Sequence, residues 1–191
     1  MVEDESSLEL DMQVTPLDAE GLLLVELDIY RDSRGFFLER YNQEQFREHG
    51  LRFDFVQDNH SRSAPGVLRG LHYQHDPPQG KLGGVTRGAI WDVVVDVRPD
   101  SETFKQNFAM ELSDMNGRLL WIPKGFAHGF CVLGDEPADV LYKATAPYNP
   151  VGEKGIFWAD EDLAIKWPIR NPIISEKDKH LPSFAEFFKG D

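Results

Sequence analysis

The chain has 191 residues, of which 41% are hydrophobic and 28% charged, the composition of a soluble globular domain with a single core. Its formal net charge of −13 excludes a nucleic-acid-coating role but not a small anionic ligand held in a local basic pocket. A single cysteine, Cys131, excludes an internal disulfide and a multi-cysteine zinc site. No apolar run is long enough for a membrane span, and the acidic start Glu3-Asp4-Glu5 is not a signal peptide, so the expected compartment is the cytoplasm.

Residues 1–12 read as a disordered acidic tail and residues 13–191 as one domain. The pattern from Leu22 onward is mostly of period two. Strands are predicted at Leu22–Leu27, Phe36–Tyr41, Val67–Gln74, Ile90–Val97, Phe108–Leu112, Arg118–Ile122, Ala127–Leu133 and Val140–Ala146. Turn residues separate them at Asp32-Ser33-Arg34-Gly35, Pro77-Pro78-Gln79-Gly80, Asn116-Gly117, Pro123-Lys124-Gly125 and Gly134-Asp135-Glu136-Pro137. Ile90–Val97 places Trp91, Val93, Val95 and Val97 on one face as core, with Asp92, Val94 and Asp96 on the other. Helix is scarce: a short one around Gln43–His49, capped by Asn42 with Gln45 and stopped at Gly50, then Ser175-Glu176-Lys177-Asp178 as a capping box, then a last turn or two at Phe184–Lys189. The result is an all-β sandwich or barrel of two facing antiparallel sheets, about ten strands, with a few short helices. Leu22–Leu27 is expected at an edge that a second subunit could cover.

Three segments are too polar for ordinary strands: Gln57-Asp58-Asn59-His60-Ser61, Arg69-Gly70-Leu71-His72 and Gly125-Phe126-Ala127-His128-Gly129. An interior lined by such side chains is costly unless it is a solvated cavity that holds a ligand. Strict alternation turns His72 away from Arg69, but Gly70 permits a bulge that reunites them. Pro123-x-Gly125-x-x-His128 is similar to the second cupin motif, and Gly66 followed after five residues by His72 to the opening of the first. The metal version of that motif has a histidine where Gln74 stands and a glutamate where Lys81 stands, and an ammonium repels a cation. His72, His75 and His128 remain a formal metal-binding alternative. Otherwise no cofactor is expected. Lys81 is suited to hold an oxyanion, His72 to take a proton at neutral pH, and Tyr142 on a later strand to return one from the far side. Together they describe enolisation of a ketone with inversion at the neighbouring carbon.

Several strings together resemble the dTDP-4-dehydrorhamnose 3,5-epimerase family. They are Arg34-Gly35-Phe36-Phe37-x-Glu39, Gln57-Asp58-Asn59-His60-Ser61, Gly66-Val67-Leu68-Arg69-Gly70-Leu71-His72, Lys81-Leu82, Trp91 to Arg98, Ile122 to Phe130 and Ser175 to Asp178. The resemblance runs from about Leu17 to Phe188. It implies a cupin-type jelly roll, a homodimer, and cofactor-free, metal-free inversion of C3 and C5 of dTDP-4-dehydro-6-deoxy-D-glucose. By this resemblance His72 is the base, oriented by Asp178, with Tyr142 the opposing acid and Lys81 the enolate stabiliser. Arg69 and His128 line the sugar and phosphate region. Arg34, Glu39, Gln57, Asn59, Glu153 and Lys177 bind the nucleotide, some of them across the dimer interface. One departure stands out: Gly83-Gly84 follows Lys81-Leu82 where the family usually has an apolar branched residue, which could shift Lys81.

Blander readings compete at several positions. Asp178 could serve only the Ser175 cap, Tyr142 only sheet packing, and Arg34 with Glu39 an ordinary surface pair. At the level of function, the alternatives are a single-site C3 or C5 epimerase, a metal-dependent cupin, and a non-catalytic sugar-nucleotide binder.

Overall fold

A computed structural model describes residues 12–189; the tail expected at 1–12 lies outside them except for Met12. That residue is buried and pairs with Leu27. The two sheets are built from β5 (Gln57–Ser63), β6 (Leu68–Gln74), β7 (Lys81–Arg87), β8 (Ala89–Asp96), β9 (Asn107–Ser113), β10 (Arg118–Ile122), β11 (Phe126–Leu133) and β12 (Ala138–Ala144). Four of these stand in the order β10-β7-β12-β5 and face four in the order β6-β11-β8-β9. Within this set the first strand pairs with the last, the second with the seventh, and so inward to β8 with β9, which is the winding of a jelly roll.

The remaining strands widen the sheets. β1 (Met12–Pro16) and β2 (Leu23–Leu27) extend the first beyond β10, and β13 (Glu153–Gly155) extends the second beyond β6. β3 (Tyr30–Asp32) and β4 (Gly35–Phe37) form a separate hairpin. Two expectations are corrected here. Leu22–Leu27 is not an edge, because β1, whose weak pattern escaped notice, pairs along its full length. Nor does the strand at Phe36 continue to Tyr41: β4 stops at Phe37, and Leu38 and Tyr41 pack instead on the outer face of the first sheet.

Alternation along the strands produces three apolar layers. Val85, Ile90, Val94, Leu120, Phe130 and Val140 fill the space between the sheets. Leu82, Leu119 and Trp121 face outward under α1 (Gln43–Glu48) and the aromatic rings of Phe53 and Phe55. Val93, Val95 and Val97 face outward on the other side, where Ile156, Leu163, Phe184 and Phe187 of the C-terminal segment cover them. Each fully buried aliphatic side chain of this kind contributes about 1.5–3 kcal/mol relative to exposure. β8 is therefore apolar on both faces except at Asp92 and Asp96.

Asp96 is fully buried at the end of β8 and is held by a closed polar set. Arg98 reaches both its oxygens, and Ser101 and Thr103 donate to Oδ2 at 2.6 and 2.7 Å. Arg98 in turn stacks 4.5 Å from the Phe126 ring centroid, at the start of the strand that carries His128. Burial alone would raise the pKa of Asp96, but these hydrogen bonds outweigh it and lower it to about 2. Among the described residues no helix is long and apolar enough to cross a membrane.

Candidate active site

The site grows from a bulge in β6. His72 pairs with His128 on β11, but Arg69 pairs with Phe130, so β6 holds one residue more than its partner between these rungs. Gly70 is that point, with φ +117°, and it touches the neighbouring backbone: a β-carbon there would sit 2.6 Å from Cα of Gly129 and 2.7 Å from O of His128. Only glycine satisfies both the positive φ and the close approach. The bulge brings Arg69 and His72 to one cavity, as Gly70 permitted.

That cavity has a volume of about 140 Å³ and is lined by Ser61, Arg69, His72, Lys81, His128, Gly129, Phe130 and Tyr142. It is smaller than the roughly 300–1,000 Å³ that encloses a drug-sized ligand, so it suits one small ring with the rest of a ligand lying outside. Beside it lies a cleft of about 350 Å³ whose lining includes Arg69, His72, Ile173, Lys177 and Asp178.

Two histidines face the cavity, each backed by a buried aspartate. Nε2 of His72 lies 2.8 Å from Oδ1 of Asp178, which comes from α2 (Glu176–Lys179). The other oxygen of Asp178 accepts the Gly70 N–H at 3.2 Å. Ser175 caps the Asp178 N–H, so the cap reading and the histidine contact hold together: the backbone of Asp178 serves one, its carboxylate the other. Burial works against the Asp178 charge, yet the His72 ring and the Gly70 amide hold its pKa below the ordinary value. The carboxylate is thus an acceptor, Nε2–H of His72 donates, and Nδ1 is left with a free lone pair. Nε2 of His128 likewise lies 2.9 and 3.1 Å from the two oxygens of Asp92.

Lys81 and Tyr142 stand on the opposite sheet. β7 and β12 are neighbours, Tyr142 lies opposite Gly83, and the ammonium of Lys81 sits 5.9 Å from the Tyr142 ring centroid. No carboxylate among the described residues pairs with Lys81 directly. Desolvation lowers its pKa, with the charges of Glu153 and Asp92 acting against that fall. Burial also raises the Tyr142 pKa, aided by Glu153, so the phenol keeps its proton at neutral pH. The two glycines after Leu82 do not break the ladder that carries Lys81. Gly83 and Gly84 stay in register with Leu120 and Leu119. A β-carbon on Gly83 would meet only that of Tyr142 at 3.6 Å, whereas one on Gly84 would collide with Leu119 at 2.4 Å and with the Arg40 guanidinium at 2.9 Å.

The other candidates form a rim or stand apart. Arg69 donates to Ser63 Oγ at 2.9 Å and to the Arg62 carbonyl at 3.3 Å. Gln57 donates to Asn59 at 3.0 Å and accepts the Tyr148 N–H at 2.8 Å. Glu153 takes a hydrogen bond from the Tyr148 hydroxyl at 2.9 Å and pairs with Lys177. Arg34 does not line the cavity: it lies on the β3–β4 hairpin, 88% exposed and paired with Asp32 rather than Glu39. Glu39 also lies outside the cavity lining, with Oε1 buried and without a hydrogen-bond partner among the described residues. The formal three-histidine set is not assembled, since the His75 ring turns to the Gly152 carbonyl and is absent from the lining. Among the described residues no group of three His, Cys, Asp or Glu side chains is placed to hold a metal ion.

Three residues of the site went unread in the sequence: Asp92, Tyr148 and the side-chain role of Gln74. Asp92 carried a usable signal, a carboxylate on the inner face of an otherwise apolar strand. Tyr148 carried none, being in a loop.

Comparison with known proteins covers the stretch of chain that contains these residues. The sequence model of the dTDP-4-dehydrorhamnose 3,5-epimerase family matches residues 16–186. The dTDP-4-dehydrorhamnose 3,5-epimerase of Pseudomonas aeruginosa is 50% identical over 177 residues, covering 92% of this chain and 97% of its own. That of Shigella flexneri is 47% identical with the same coverage. The crystal structure of the 3,5-epimerase of Legionella pneumophila in complex with dTDP-4-keto-L-rhamnose superposes with a TM-score of 0.86 at 44% identity, covering 93% of this chain and 97% of that one.

Proposed function

Because the chain belongs to the dTDP-4-dehydrorhamnose 3,5-epimerase family, we propose that it inverts C3 and C5 of dTDP-4-dehydro-6-deoxy-D-glucose to give dTDP-4-dehydro-L-rhamnose. The observation that carries the reading is the convergence of His72, Lys81 and Tyr142 on one cavity from facing sheets.

The reaction is an enolisation repeated at two carbons. Nδ1 of His72 takes the proton from the carbon beside the 4-keto group, and Asp178 stabilises the imidazolium that forms. The electron pair moves into the C–C bond and onto the ketone oxygen, where Lys81 holds the enolate. Tyr142 then protonates the same carbon from the opposite face, which inverts it. The cycle closes when His72 gives its proton to solvent and the Tyr142 phenolate regains one. The sugar ring occupies the small cavity, and the diphosphate and nucleoside lie outside it along Arg69, Lys177, Gln57, Asn59 and Glu153.

Arg34 and Glu39 enter this scheme through a second copy of the chain. Phe36 and Phe37 are 53% and 57% exposed on the same hairpin, and Glu39 has a buried oxygen without a donor among the described residues. A homodimer in which each hairpin reaches the other subunit's cavity accounts for the exposed Arg34 and for the two exposed phenylalanines.

Proton NMR of the keto-sugar nucleotide in deuterium oxide tests the assignment. Deuterium should enter at both C3 and C5. Exchange at one carbon would reduce the activity to a single-site epimerase, and exchange at neither would overturn it.

A further inference from the structure

Gln74 stands two residues past His72 on the same face of β6, at the position where a metal-binding cupin carries its second histidine. Its side chain does not reach the cavity, and it is only 5% exposed. Nε2 donates to the carbonyls of Pro77 at 2.9 Å and Pro147 at 3.0 Å, and Oε1 accepts the Asn149 N–H at 2.9 Å. Both donors of the amide are used, and they tie the turn after β6 to the loop after β12. Two further bonds lie alongside: Gln79 Nε2 to the Ala146 carbonyl at 2.7 Å, and Asn149 Nδ2 to the Asp76 carbonyl at 2.8 Å.

The residue between the two loop groups that Gln74 holds is Tyr148. With Pro147 and Asn149 fixed, the Tyr148 backbone is set against Gln57 and its hydroxyl against Glu153. Glu153 lies directly opposite Gln74 in the β13–β6 ladder, and it carries the pair with Lys177. One buried amide therefore fixes the segment on which the polar rim of the cavity converges.

We propose that Gln74 is a positioning residue that sets Tyr148 over the cavity mouth and, through Tyr148 and Glu153, shapes the rim that receives the nucleotide half of the substrate. This rests on the epimerase reading above. A residue that only fills the core would give the same burial without acting through Tyr148.

The test is a double-mutant cycle on Gln74→Met, which keeps length and volume but loses all three bonds, combined with Tyr148→Ala. Kd for dTDP, KM, kcat and Tm are measured for each protein. Gln74→Met should raise Kd and KM about tenfold, the size expected for loss of an ordered hydrogen-bonded rim, with kcat changed less than about threefold. In the Tyr148→Ala background it should add less than about twofold, although its effect on Tm persists. Asn149→Ala, which loosens the same loop from its exposed side, should raise Kd in the same direction and guards against a Gln74 variant that fails to fold. Unchanged Kd and KM in both variants, or effects of Gln74 and Tyr148 that simply multiply, would overturn the proposal. If the native protein binds dTDP but shows no deuterium exchange, the epimerase reading fails while the dTDP cycle still decides the role of Gln74.

Discussion

Asp178 meets His72 at 2.8 Å across 106 residues of sequence, and no sheet joins them. His72 is fixed by the β6 bulge, whereas Asp178 arrives on α2 within the C-terminal segment that covers the outer face of the same sheet. The same carboxylate also accepts the Gly70 N–H, so one side chain of the C-terminal segment holds both the bulge and the histidine it presents.

His72→Ala should abolish both deuterium entry and inversion, with kcat falling about 10²–10⁴-fold. Tyr142→Phe should separate the two. The base still removes and returns a proton on its own face, so deuterium enters the substrate while the stereochemistry is kept. Mass and coupling constants of recovered sugar nucleotide read both outcomes, and inversion at the native rate by Tyr142→Phe would exclude it as the acid.

The charge on Lys81 sets the alkaline limit. Burial lowers its pKa below the ordinary 10.5 and raises that of Tyr142, so loss of the ammonium moves to lower pH and loss of the phenolic proton to higher pH. The alkaline limb of kcat should therefore fall below the ordinary lysine range. Lys81→Arg, which stays charged, should move that limb upward at a lower plateau, and Lys81→Met should lose about 10²–10³ in kcat. A limb at the same pH in Lys81→Arg would assign it to another group.

Asp96 makes a prediction about stability rather than rate. Its pKa is depressed from 3.8 to about 2, so its contribution is complete above the ordinary carboxyl value and disappears as pH falls through about 2. The shift corresponds to about 2 kcal/mol at neutral pH. Asp96→Asn should lower Tm by about 4–8 °C at pH 7, since 1 kcal/mol moves a domain of this size by about 2–4 °C. The difference from native protein should shrink in acid. An equal difference at pH 7 and pH 2 would show that packing, not charge, is responsible.

Arg34 allows a test of the dimer. Arg34→Ala and His72→Ala each damage the site, but a mixed dimer contains one cavity with both residues native if Arg34 is supplied by the partner. Refolding the two variants together should restore activity well above either alone. No recovery, with sedimentation showing mixed dimers, would return Arg34 to the surface pair it forms with Asp32 in the single chain.

Much of the architecture was legible because it is local. The alternation in Ile90–Val97 identified a strand with an apolar stripe, and the turn residues at Asp32–Gly35 and Asn116-Gly117 marked real reversals. The strand drawn from Phe36 to Tyr41 ran too far, because Leu38 and Tyr41 are apolar for packing on a sheet face, which hydropathy does not distinguish from pairing within it. The site divides in the same way. Polar residues on strands announced a cavity, but the partner of His128 was not read, since Asp92 and His128 meet only after β8 and β11 pair. Arg34 shows the opposite limit: its motif is distinctive, yet the single chain leaves it facing solvent.

The glycines around the cavity also bear on redesign for other sugars. At Gly70 and Gly129 the two backbones are in contact, and a methyl group on either would strike the opposite main chain at 2.6–2.7 Å. Libraries that vary those positions will lose the base before they change selectivity. Gly83 lies opposite Tyr142 with room for a methyl beside it, so alanine there presses on the wall that carries the acid while both ladders stay intact. Ring size and axial substituents are best screened from that wall.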